Sequence, residues 1–131
     1  MSFIFTVHSI FGERVLPVLI VLVAVWLAVV YRPERGVPRL ARLFPALVDL
    51  QATLGIIYWV YGLATGLAGT YLGFPFVLHP LLGLISAGVA HMAVRPRGPF
   101  AALGRWAPLV ALLVLLATVV GGIVLARGTP T

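Results

Sequence analysis

The sequence predicts an all-α membrane protein, four transmembrane helices in an antiparallel bundle, and three observations carry that prediction. Hydrophobic residues make up 62% of the 131 and charged residues 9%, a balance that leaves a water-soluble domain of this size no means of hiding its apolar surface. Apolar runs near or above the roughly 20 residues that cross a hydrocarbon core of ~30 Å recur along the chain. The nine basic residues, all of them arginine, sit mainly between those runs. Arg32, Arg35, Arg39 and Arg42 fall in the first connection and Arg95, Arg97 and Arg105 in the third, which is the positive-inside pattern. Both connections are therefore expected on the cytoplasmic side, with the N-terminus, the Tyr71–Phe76 loop and the C-terminus outside. Only Arg14, beside Glu13, and Arg127 fall on the outer side in this arrangement. The same placement argues that the formal charge of +6 serves membrane orientation and not nucleic acid. The chain has no cysteine, which excludes disulfides, thiolate metal sites and cysteine nucleophiles.

The four helices belong to a single domain, 1–131, at approximately 4–31, 45–69, 75–94 and 107–126. Helix 1 lacks the basic n-region and small-residue cleavage site of a secretory signal. Its start lies between Ile4 and Val15, and Glu13 and Arg14 lie close to the outer interface. Counting back from Arg32 at ~1.5 Å per residue places His8 roughly 36 Å from the cytoplasmic end, at the outer hydrocarbon edge. The proline- and arginine-rich connection after Tyr31 reads as a structured turn at the headgroup layer. Helix 3 starts at Pro75 or, with Pro80 in its first turn, close to His79. Helix 4 is almost featureless apart from Thr118, Gly121 and Gly122. Trp106, at its start, reads as an interfacial anchor.

Helix 2 carries the unusual residues. Gln51, Gly55, Tyr58, Gly62, Gly66, Gly69 and Gly73 follow one another by three or four residues, Tyr58 dividing the seven-residue step between Gly55 and Gly62. On one continuous helix they form a stripe nearly bare of side chains, against which another backbone or a planar cofactor can lie. Tyr58, Trp59 and Tyr61 read as packing residues.

Depth along the helices sorts the remaining polar residues into two groups. The outer group is His8, His79 and the glycine-dense end of helix 2, with Gly62 and Gly66. The inner group is Asp49, Gln51 and His91, since Asp49 and His91 lie at comparable distances from an arginine-bearing connection and meet if helices 2 and 3 are antiparallel neighbours. His79 and His91 are about 18 Å apart along one helix and cannot share a metal. Two readings of the outer group stand side by side. In one, His8 and His79 are axial ligands of a haem iron and Gly62 and Gly66 admit the flat macrocycle. In the other, His8 is interfacial, His79 caps a helix and the glycines are a packing seam. For the inner group, a quinone or proton site, with Gln51 bonding a carbonyl oxygen, stands beside a structural ion pair.

His8-Ser9, Asp49-Leu50-Gln51 with Leu54-Gly55, His79-Pro80-Leu81 and Ala90-His91 together resemble the motifs of small bacterial four-helix integral membrane proteins described as cytochrome b-like, over roughly residues 7–126. The chain departs from that pattern in having Leu78 before His79 and Leu82-Gly83 after Leu81. The resemblance implies haem b as cofactor, His8 and His79 as its ligands, and a multi-pass protein of the prokaryotic cytoplasmic membrane. It also implies electron transport within, or beside, a respiratory or photosynthetic complex, with the lipid bilayer and other membrane subunits or quinone as partners. A chlorophyll-type magnesium macrocycle is a variant of this reading, and a cofactor-free accessory subunit packed against a larger complex is the alternative to it. With short loops and no nucleophile–base pair at helical spacing, independent enzyme activity is not expected.

Overall fold

The computed structural model describes residues 3–126, which are mostly helical with no strand among them. Three helical spans are long and apolar enough to cross a membrane: Phe3–Val30, Arg39–Ala64 and Ala101–Val124. Helix α1, Phe3–Val30, is regular at both ends and π-helical over His8–Val15. The π segment leads directly into Pro17, whose ring would clash with the carbonyl of Glu13 in a regular α-helix, and the wider turn accommodates it. Helix α2 is Leu43–Ala64, α3 is the short Ala68–Tyr71, α4 is Leu78–Ala93 and α5 is Ala107–Ala126.

Two expectations from the sequence change here. Helix 2 does not run on to Gly69. It stops at Ala64 because Gly66 adopts φ +85°, Thr65 turns its hydroxyl back to the carbonyls of Tyr61 and Gly62, and the Leu67 amide bonds the Gly62 carbonyl at 3.3 Å. That amide-to-carbonyl bond around a left-handed glycine is a Schellman ending, so the glycine stripe is cut in two. Helix 3 begins at Leu78, with Pro80 in its first turn. Its 16 residues span ~24 Å, less than the ~30 Å core. Arg127 and the C-terminus lie outside the described residues.

The four long helices close a ring, α1 on α2, α2 on α4, α4 on α5 and α5 back on α1, leaving α1 and α4 diagonally opposed. The tight core fills the half expected at the cytoplasm. Leu16, Ile20, Ala24 and Leu27 form one buried stripe of α1 against Phe44, Val48, Ala90, Ala93, Ala111 and Leu115. Outward positions such as Val18, Leu22, Val29, Val60, Ile85, Leu113 and Val124 are exposed yet apolar, as lipid contact requires and water does not. Toward the other end the ring loosens: the π segment packs on α2, while α5 meets α1 over Leu16–Val30.

Candidate functional site

In that looser half a cavity of about 110 Å³ lies between the four helices. It is lined from α1 by His8, Gly12 and Pro17, and from α2 by Gln51 and Gly55. His79, Gly83 and Ser86 line it from α4, and Thr118 and Gly122 from α5. Exposed Glu13, Ile56 and Leu116 also line it.

His8 and His79 meet across the diagonal, ring centroids 6.3 Å apart and planes at 82°. Each is placed by its own helix and held by aromatic neighbours. His8 lies in the π turn, buried, with Tyr58 stacked on its face at 5.1 Å and 10°. His79 follows the start of α4 with Phe76 at 6.1 Å. Tyr58 is steadied in turn by the Tyr71 hydroxyl, which donates to its own at 2.7 Å. Tyr58 is thus a stacking residue as well as a packing one. A period count reports only which face it occupies, so the sequence did not separate the two.

Each of the four helices contributes one glycine to the cavity lining. A Cβ on Gly12 would approach the Gln51 amide nitrogen to 3.0 Å and His8 Nδ1 to 3.5 Å. One on Gly122 would come within 3.1 Å of His79 Nδ1, and one on Gly55 within 3.5 Å of the His8 ring. Three buried polar atoms here have no hydrogen-bond partner: His8 Nδ1, His79 Nδ1 and Gln51 Oε1. At the α4–α5 wall the hydroxyls of Ser86 and Thr118 lie 2.6 Å apart and bond back to carbonyls of their own helices, leaving that side satisfied.

The glycines expected at the site are elsewhere. Gly62 is buried beneath the ring of Tyr71, which occupies the space a Cβ would need, and Gly66 forms the turn that ends α2. Neither borders the cavity. The glycines that do, Gly12, Gly55, Gly83 and Gly122, come one from each long helix. Thr118 and Gly122, four apart in an otherwise Leu/Val-rich helix, were a legible sign of a small polar face on α5.

The inner group also divides. Asp49 and His91 meet on the outside of the α2–α4 pair, with His91 Nε2 2.8 Å from Oδ2 and 3.1 Å from Oδ1, both side chains about half exposed. Gln51 is not with them. Two residues along a helix is a rotation of ~200°, which turns Gln51 into the cavity beside His8. No family model matches this chain, and neither does any curated protein or solved structure.

Proposed function

We propose that this chain is a small integral membrane b-type cytochrome, with His8 and His79 as the ligands of haem b and electron transfer as its task. The observation that carries the reading is the convergence of two imidazoles from diagonally opposed helices in a cavity walled by one glycine from each helix. The donor set suits the group, because haem iron asks the protein for no more than axial ligands and neutral imidazole is a common one. Among the described residues no three His, Cys, Asp or Glu side chains gather as a ligand set for a bare metal ion. The glycines are a cradle that side chains would fill.

A haem bound there supplies reversible one-electron transfer. The chain's own residues hold and insulate it. Tyr58 braces the His8 ring, Gly12 and Gly122 leave room beside the two Nδ1 atoms, and Ile20, Val48, Leu112 and Leu115 give an apolar wall that keeps water out. Four crossings with the N-terminus outside fit the arginine distribution, the short α4 being completed by the turn at Phe76–Val77. The setting this implies is a prokaryotic cytoplasmic membrane, where quinone or another membrane subunit serves as redox partner. The half-exposed Asp49–His91 pair, near the cytoplasmic arginines, is where a proton or quinone headgroup would be met.

The volume of about 110 Å³ favours a second reading, a cofactor-free accessory subunit. It lies below the ~300 Å³ at which pockets begin to hold drug-sized ligands, so seating a macrocycle requires the π segment and α5 to part. An absorption spectrum of the purified chain after haem addition decides. A reduced-minus-oxidised b-type α-band, lost in His8→Ala and in His79→Ala, supports the cytochrome; a colourless, monodisperse protein that takes up no haem overturns it.

A further inference from the structure

We propose that Gln51 is a positioning residue for His8: its side-chain carbonyl accepts the Nδ1–H of the imidazole and so fixes the tautomer that leaves Nε2 with its lone pair. The inference deepens the cytochrome reading and rests on it for its functional meaning, but the pairing itself is a property of the chain without haem.

Two of the three orphaned atoms in the cavity belong to these neighbours, and their chemistry is complementary. His8 Nδ1 is buried without a partner, and Gln51 Oε1 is buried without a partner. Both side chains border the space left by the missing side chain of Gly12, with the Gln51 nitrogen 3.0 Å and His8 Nδ1 3.5 Å from where a Cβ would stand. The two ends of a carboxamide have nearly the same shape, so a half-turn of the amide plane exchanges Nε2 for Oε1 on the side facing Gly12, where His8 Nδ1 also lies. That rotation puts an acceptor where a donor stands, and it relieves a buried imidazole and a buried carbonyl together, each of which is costly to leave unpaired. The alternative ring state, with the proton on Nε2, would suit the amide NH2 as donor to Nδ1 but leave Oε1 buried without a partner and put a proton on the nitrogen most suited to ligate.

A histidine that binds a metal centre through one nitrogen commonly donates the proton on the other to a carbonyl or carboxylate, which sets ring orientation and raises ligand basicity. Gln51 fills that place for His8. Gly12 is the structural condition for it, because a Cβ there would crowd both the amide and the ring. Tyr58 controls the remaining freedom by holding the ring plane. Gln51 is thereby separated in role from Asp49, its neighbour but one in sequence.

The test uses the full chain in detergent micelles, labelled with ¹⁵N at its three histidines and without added haem. Long-range ¹H–¹⁵N correlation spectra show which ring nitrogen carries the proton, and His8 is assigned by the signal lost in His8→Asn. The expected result is the Nδ1–H tautomer for His8 in the unaltered chain, kept in Gln51→Glu, where a carboxylate oxygen accepts the same proton, and lost in Gln51→Leu. An Nε2–H tautomer in the unaltered chain overturns the proposal, as does an Nδ1–H signal unchanged in Gln51→Leu. Should Gln51→Leu fail to fold, the unaltered chain and Gln51→Glu still decide it. Haem titration of the same samples reads the parent proposal separately. A missing α-band with the Nδ1–H tautomer present ends the cytochrome reading and supports the pairing; an α-band with the Nε2–H tautomer does the reverse.

Discussion

Tyr58 lies face to face with His8, the ring centroids 5.1 Å apart and the planes within 10° of parallel. The phenol therefore braces a residue of the cavity lining, and the Tyr71 hydroxyl that donates to it ties that brace to the short helix α3. Aromatic pairs of this kind contribute ~0.5–1.5 kcal/mol beyond the area they bury. Tyr58→Leu is expected to lower stability by about that much and to broaden the His8 ring resonances. Tyr71→Phe, which removes the hydroxyl alone, is expected to cost ~1 kcal/mol. Thermal unfolding in detergent measures both.

Gly62 is a contact residue for Tyr71. The ring stands where a Cβ would go, so Gly62→Ala forces α3, which carries Tyr71, away from α2, at an overpacking cost of ~1–3 kcal/mol. A Gly62→Ala, Tyr71→Leu double variant is expected to be more stable than the sum of its single changes, because the smaller side chain removes the overlap. Additive losses in thermal unfolding would place the Gly62 effect elsewhere.

Gly66 and Gly69 test the ending of α2. Gly66 holds φ +85° with nothing near its missing side chain, and Gly69 sits in α3 with equal room. Gly66→Ala is expected to cost ~1–2 kcal/mol through backbone strain alone. Gly69→Ala is expected to be neutral or to stabilise by up to ~1 kcal/mol. Equal effects at the two sites would mean that α2 runs on through Gly66 as one helix.

The π segment sets the direction of His8. Deleting Ile10 removes one residue from the widened turns, and the ring is expected to rotate by ~100° relative to the rest of α1. The cysteine-free background makes this readable. A His8→Cys, His79→Cys double variant is expected to join through a short bifunctional thiol reagent, and the same pair in the Ile10 deletion is expected not to. Equal crosslinking in both would show that the π turn does not aim residue 8.

Membrane residence was legible in composition, and the positions of α1 and α5 in the apolar runs, since a bilayer fixes the length and polarity of a crossing segment. Equal depth likewise brought Asp49 and His91 to the same level, where they bond. The lower boundary of α2 was legible too. Its upper boundary was not, because Gly66 continues a glycine period as naturally as it ends a helix, and only the Thr65 hydroxyl and the Leu67 amide, bonding backward, show which it does.

The sequence by itself determined the apolar surroundings of this protein and the approximate reach of α1 and α5, because these depend on composition and on a rise of ~1.5 Å per residue. Tertiary structure alone decided direction. Each residue turns ~100° about the axis, and eight π-helical residues in α1 shift that phase, so rotation cannot be summed along the chain as rise can. That is why Gln51 faces His8 and not His91, why Gly62 meets Tyr71, and why the cavity takes its glycines one from each of four helices.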